Sequence, residues 1–167
     1  MVMNEVIDIN GVLKAAVLLL GNQLHKATNR LTIVHGFGIP HLQGNFQKIE
    51  QIVINILQNA CEALPDKSKA ISVRTGFDLE GGQIWLEVND EGQGISSEDL
   101  PHVTDPFYTT KRACGGTGLG LSISNRIMQE HGGEMTIHSR LGKGTQVRLA
   151  FPIRRQGEVR KCNPFLS

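Results

Sequence analysis

A chain of 167 residues that is 40% hydrophobic has enough apolar content for one ordinary core, and its composition excludes a collagen-like, disordered or disulfide-stapled protein. Seventeen basic residues oppose sixteen acidic ones, so no general field recruits nucleic acid or an anionic membrane, and any anion site must be local. Three cysteines, Cys61, Cys114 and Cys162, are odd in number and far apart, which fits neither a disulfide framework nor CxxC metal spacing and points to a reducing, cytoplasmic compartment.

In chain order, residues from about Asn10 to Thr28 read as a helix. Its apolar run, Ala15 to Leu20 preceded by Val12 and Leu13, is interrupted by Lys14 and is far short of the roughly 20 residues a membrane span needs. No signal peptide is visible, because Glu5 and Asp8 stand where a basic start is expected. Leu31 to Val34 reads as a short strand before the breakers Gly36, Gly38 and Pro40. Ile49, Ile52, Val53, Ile56, Leu57, Ala60 and Leu64 then recur at steps of three and four, the period of one buried helix face, closed by Pro65.

Ile71, Val73, Thr75 and Phe77 alternate with polar or small residues, and after Glu80-Gly81-Gly82 the alternation resumes at Ile84, Leu86 and Val88, predicting a β-hairpin. From Asp90 to Gly120 the chain is glycine-rich and aperiodic, a length compact domains spend on a loop that binds or covers something. A helix from about Leu119 to His131 ends at Gly132-Gly133, and a last hairpin joins Met135–Ser139 to Gln146–Ile153 across Gly142-Lys143-Gly144. The expected fold is a two-layer α/β sandwich over residues 1–153, a mixed, largely antiparallel sheet with helices on one face, followed by a polar tail over 154–167.

Chemistry concentrates in four stretches. On the strong helix Asn55 and Asn59 lie one turn apart on the same side, and amide oxygens are hard neutral ligands suited to Mg²⁺ that is also held by phosphates. A solvated polar face is the plain alternative. Asp90-Glu91-Gly92-Gln93-Gly94 ends a strand: glycines at alternate positions allow a sharp turn and close approach of a ligand, and the Asp90 carboxylate can accept from an exocyclic amine such as that of adenine, although Asp and Gly are also ordinary turn residues. Gly115-Gly116-Thr117-Gly118-Leu119-Gly120-Leu121 runs straight into a helix, whose first N–H groups can cradle phosphate oxygens, or it is a flexible hinge. It is neither a Walker A loop nor a Rossmann fingerprint. Gly142-Lys143-Gly144-Thr145 alone is a hairpin turn, and the six histidines show no metal or nucleophile spacing.

Taken in order, Asn55-Ile-Leu-Gln-Asn59-Ala60, Asp90-Glu-Gly-Gln-Gly94-Ile95, Asp105-Pro-Phe107-Tyr-Thr-Thr110-Lys111, Gly116-Thr-Gly-Leu-Gly-Leu121 and Gly142-Lys-Gly-Thr145 resemble the boxes of the sensor histidine kinase catalytic domain, within the superfamily that includes gyrase, mismatch-repair and chaperone ATPases. The resemblance covers about residues 10 to 153 and implies the ATP-binding α/β sandwich. It implies that Asn59 coordinates Mg²⁺ with Asn55 assisting, that Asp90 reads the adenine amino group in a pocket shaped by Gly92 and Gly94 with Ala60 and Ile95 nearby, and that Thr145 supports the Asp90 contact. It further implies a lid around Phe107 and Thr110, a phosphate turn from Gly116 through Thr117, Gly118, Leu119 and Gly120 to Leu121, and a Lys111 that reaches phosphate when the lid closes.

Position 55 separates the relatives. The ATPase branches carry a water-activating glutamate there; Asn55 cannot take a proton near neutral pH, so the implied reaction is transfer of the γ-phosphoryl group to a histidine rather than hydrolysis. The alternatives are an ATP-driven conformational ATPase and a non-catalytic nucleotide sensor. The Gln-Asn-Ala-Cys-Glu-Ala-Leu stretch and the short lid most resemble the nitrogen-regulation type. The phosphoacceptor box is absent, and His25, in Leu-His-Lys-Ala, does not match it. The implied partners are therefore an upstream dimerisation and phosphohistidine domain and a response regulator receiver domain. The isolated domain is expected to be monomeric and its parent a homodimer, with a membrane anchor possible in the parent.

Overall fold

A computed structural model describes residues 4–106 and 120–153. The chain opens with a short strand, β1 (Glu5–Ile7), and the helix α1 (Ile9–Ala27), which starts where the Asp8 carboxylate accepts the Asn10 N–H at 3.0 Å. Strands β2 (Arg30–Val34) and β3 (Leu42–Gly44) lead to α2 (Phe46–Ala63), capped by the Asn45 side chain on Lys48 N–H at 3.0 Å. Strands β4 (Ala70–Asp78) and β5 (Gln83–Asp90), one 3₁₀ turn (Leu100–His102), α3 (Gly120–Glu130) and the hairpin β6 (Glu134–Arg140) and β7 (Gly144–Pro152) complete the order.

Five strands form one sheet in the order β2-β4-β5-β7-β6, with β2 parallel to β4 and every other pair antiparallel. The expected mixed, largely antiparallel sheet is therefore present. A two-stranded antiparallel sheet of β1 and β3 lay beyond the sequence reading: it pairs only Glu5–Ile7 with Leu42–Gly44, too few residues to show a period. The first helix begins at Ile9 rather than Asn10, and the second starts at Phe46, where Asn45 provides the cap.

The core follows from two periodicities meeting. Ile71 and Val73 on β4, Ile84, Leu86 and Val88 on β5, and Val147, Leu149 and Phe151 on β7 point to one face. Ile49, Ile52, Val53, Ile56, Leu57 and Ala60 of α2 cover them, flanked by α1 and α3. Each fully buried aliphatic side chain contributes about 1.5–3 kcal/mol, so α2 is held in rotation and height by this face.

The opposite face of the sheet carries a charge row instead. Glu87, 3% exposed, lies directly across from Arg74 on β4 and Arg148 on β7, with ion-pair distances of 2.8 and 3.6 Å, and Arg148 also stacks 4.9 Å from the Trp85 ring. Burial alone would raise the Glu87 carboxyl; hydrogen bonds from Arg74, Asn89 and Gln146 outweigh it and hold the group below its ordinary value. Among the described residues no helix is long and apolar enough to cross a membrane.

Candidate functional site

The elements bearing the sequence-predicted residues meet around the outer side of α2. Asn55 and Asn59 occupy successive turns, both half-buried, while Ala60 one step on is buried in the core. Asn55 Nδ2 donates to the Gly120 carbonyl at 3.4 Å and to Ser124 Oγ at 3.3 Å, so its amide nitrogen is turned onto the start of α3. An amide oxygen is the kind of hard donor that a Mg²⁺ ion also held by phosphates would accept. Ser124, fully buried, was not singled out in the sequence; its position four residues beyond Gly120 puts it one turn along α3.

Asp90 ends β5 at the C-terminal end of α2. Its Oδ1 accepts the Gly92 N–H at 2.9 Å, and Gln93 N–H donates to the Ala63 carbonyl at 3.0 Å, so the turn after the strand is stitched to the helix. Gly92 is buried at this seam: a Cβ there would lie 2.6 Å from Asp90 Oδ1 and 2.7 Å from Ala63 Cβ. Gly94 has φ +73°, and a Cβ would come within 2.0 Å of the Arg140 carbonyl oxygen, so only glycine lets this turn rest on the β6–β7 hairpin. The Gly142 N–H donates to Gln93 O on the same seam.

Thr145 lies directly across from Asp90 in the β5–β7 register. Its Oγ1 is 2.7 Å from Ser139 Oγ, which also receives the Ile95 N–H at 2.8 Å and donates to the Gly144 carbonyl at 3.0 Å. Ser139 thus joins two of the predicted stretches, Asp90–Ile95 and Gly142–Thr145; its signal was the cross-strand pairing Ser139↔Thr145, visible only once the hairpin register is known. An open depression of about 370 Å³ at the β5–β7–β6 end is lined by Asn89, Asp90, His138, Ser139, Arg140, Lys143, Gly144, Thr145 and Gln146, with no residue of α2 in its wall. Cys61, half-buried on α2, has its thiol pushed up by burial and by the nearby Glu62 and Asp90 carboxylates, so it stands in neutral form at this edge.

The structure thus brings Asn55 onto the start of α3 at Gly120 and, at the C-terminal end of α2, brings Asp90 and Gly92 against Ala63, and Ile95 and Thr145 onto Ser139, with Asn59 and Ala60 on the stretch of α2 between the two. Phe107, Thr110, Lys111, Gly116, Thr117, Gly118 and Leu119 lie outside the described residues. Among the described residues no group of three or more His, Cys, Asp or Glu gathers as a metal cage.

Comparison with known proteins shows the family and the fold. The model of the histidine kinase-, DNA gyrase B- and HSP90-like ATPase family matches residues 44–155. A putative sensor protein of Shewanella frigidimarina is 37% identical over 150 residues, covering 90% of this chain and 22% of the relative; sporulation kinase E of Bacillus subtilis is 31% identical over 160 residues, covering 96% and 21%. The chain therefore spans about a fifth of the length of these curated relatives. In structure, the full-length ShkA crystallised in complex with AMPPNP superposes with a TM-score of 0.78 at 22% identity over 91% of this chain and 31% of that one. With its amide-bearing helix, its Asp-x-Gly-x-Gly strand end and a family match across the greater part of its length, the chain belongs to the histidine kinase-, DNA gyrase B- and HSP90-like ATPase family.

Proposed function

We propose that this domain binds Mg-ATP and transfers its γ-phosphoryl group to a histidine on a separate dimerisation and phosphoacceptor domain, from which a response regulator receiver takes it. The observation that carries the reading is the seating of Asn55: its Nδ2 is held by Gly120 and Ser124, which leaves an amide oxygen, not a base, at the position where a hydrolytic relative needs a carboxylate. The names of the similar proteins, a sensor protein and a sporulation kinase, support the same class.

In this reading Asp90 accepts from the adenine amino group, kept in place by the Gly92 N–H and by the seam to Ala63. Asn59 and Asn55 offer amide oxygens to Mg²⁺, which when bound would offset the charge of the phosphates. The start of α3 at Gly120 and Leu121 presents backbone N–H groups toward phosphate, with Gly116, Thr117, Gly118 and Leu119 leading into it, and Phe107, Thr110 and Lys111 form the cover. The protein's own contribution is position and exclusion of water, because phosphoryl transfer asks little covalent chemistry of it. We place the domain in the cytoplasm, as a monomer that works within a homodimeric parent of the nitrogen-regulation type.

The test follows label from γ-labelled ATP with Mg²⁺, first with the chain alone and then with a histidine-bearing helical phosphoacceptor segment added. Label on the histidine with little free phosphate is expected. Rapid phosphate release without an acceptor would replace this reading with that of an ATP-driven ATPase.

A further inference from the structure

The turn between β6 and β7 is braced from two sides. Lys143 N–H donates to the Arg140 carbonyl at 3.0 Å, and Gly142 N–H donates to the Gln93 carbonyl at 2.6 Å, so the turn is closed on itself and tied to the loop that follows β5. Gly144, at φ +109°, packs so closely that a Cβ would come within 2.0 Å of the Asp90 carbonyl oxygen. On this braced turn Leu141 is 69% exposed, between the exposed Arg140 and Lys143. A lone exposed leucine is ordinary; the charge around this one is not. Arg140, Lys143 and His138 line the open depression of about 370 Å³ beside it. His138, Gln146 and Asn89 form one cross-strand row there, on the face opposite the buried Val88 and Val147. Further along that face Arg74 and Arg148 are already matched by Glu87. Among the described residues none of His138, Arg140 and Lys143 has a carboxylate within ion-pair reach. The depression therefore carries two fixed positive charges, and a third when His138 is protonated, against the single carboxylate of Asp90, whose Oδ1 accepts the Gly92 N–H.

We propose that the β6–β7 turn and the adjoining depression dock an acidic segment of a protein partner, whose carboxylates meet Arg140 and Lys143 while an apolar side chain beside them covers Leu141. An exposed apolar anchor flanked by unmatched cations is complementary to a chain that sets carboxylates next to apolar side chains. A free phosphate has no use for Leu141. A duplex nucleic acid needs a longer basic row than this face has once Glu87 has taken Arg74 and Arg148, and a planar bilayer would meet the turn but not enter the depression. Because the turn is already braced, docking orders little of this chain, which keeps the entropic cost on the partner's side. No residue of α2 lines the depression, so the site stands apart from the nucleotide reading and does not depend on it.

The experiment is an amide NMR titration of the full 167-residue chain with a capped peptide of Glu-Glu-Leu repeats, beside a Gln-Gln-Leu peptide of the same length and inorganic phosphate, and a co-sedimentation with phosphatidylserine vesicles. Saturable shifts centred on residues 138–146 are expected with the acidic peptide, and binding about tenfold weaker or less with the glutamine peptide. The double variant Arg140→Gln, Lys143→Gln and the single variant Leu141→Ser should each weaken the acidic peptide by about five- to tenfold. Lys14→Gln, which removes an exposed cation of α1, should leave it unchanged. The comparison of the two peptides on the wild type needs no variant to fold. Equal binding of the two, shifts centred away from 138–146, or none at millimolar peptide would overturn the proposal. Phosphate that produces the same shifts as tightly as the acidic peptide would replace it with a simple anion site, and vesicle binding that is lost in Leu141→Ser would replace it with a membrane contact.

Discussion

His131 Nε2 accepts the backbone N–H of Asn45 at 3.0 Å, while its Nδ1 donates to the Ile127 carbonyl at 2.8 Å. One buried imidazole, neutral and protonated on Nδ1, therefore ties the capping residue of α2 to the last turn of α3, and its ring meets Phe151 edge-on at 6.5 Å. His131→Ala leaves an unpaired N–H and a cavity, and is expected to lower stability by about 2–3 kcal/mol in urea unfolding. A loss below about 0.5 kcal/mol, the scatter of a neutral surface change, would show that the clamp is dispensable.

The Glu87 row predicts a pH dependence. Its folded-state carboxyl titrates below its ordinary value, so its contribution is present above about pH 4.3, the unfolded value, and is lost as pH falls through the lower folded value. Glu87→Gln keeps the shape but uncouples Arg74 and Arg148; it is expected to cost about 1–3 kcal/mol at pH 7. The gap between wild type and variant should close on acidification toward pH 3, read as the difference in denaturant midpoints. A gap independent of pH would show that the charge of Glu87 does not matter.

Gly94 and Gly38 make a matched pair. Both have positive φ, +73° and +70°, but an added Cβ at Gly94 would strike the Arg140 carbonyl, whereas at Gly38 it meets nothing within 4 Å. Gly38→Ala should cost only the backbone strain, about 1 kcal/mol. Gly94→Ala should cost about 2–4 kcal/mol and also weaken ATP binding, since the turn after Asp90 must lift off the β6–β7 hairpin. Equal melting temperatures for the two variants would contradict this account.

At the candidate site, Asp90→Asn replaces a pure acceptor with a group whose NH₂ opposes an amine, and the Kd for ATP should rise about tenfold or more. An unchanged Kd would mean that Asp90 does not read the base.

Asn55→Ala removes a half-buried amide and its two long hydrogen bonds, to the Gly120 carbonyl and to Ser124 Oγ, while leaving the apolar face of α2 intact. Stability should stay within about 1 kcal/mol while phosphoryl transfer to an added phosphoacceptor falls about a hundredfold, as expected when a reacting group loses its alignment. Transfer at the wild-type rate would show that the amide at position 55 takes no part.

The sequence made α2 legible because its apolar residues recur with the helical period and leave Asn55 and Asn59 together by subtraction. The inward residues of β4 and β5 were equally plain from alternation. The β1–β3 pair was not, because three residues carry no period and their partnership spans more than thirty positions. Ser124 and Ser139 escaped for another reason. A serine on a helix or strand is unremarkable until packing sets Asn55 beside one and hairpin register sets Thr145 and the Ile95 N–H beside the other.

The two faces of α2 are printed on one rigid rod, so they cannot be adjusted independently. Advancing the apolar pattern by a single residue, as one insertion before Ile49 would do, turns the helix by about 100° relative to the sheet. The buried isoleucines would then refuse the new orientation or carry Asn55 and Asn59 away from Gly120 and from the end of β5. The greasy side of α2 thus works as a key cut for one lock position, and the aim of the amides is set by residues that no ligand ever meets.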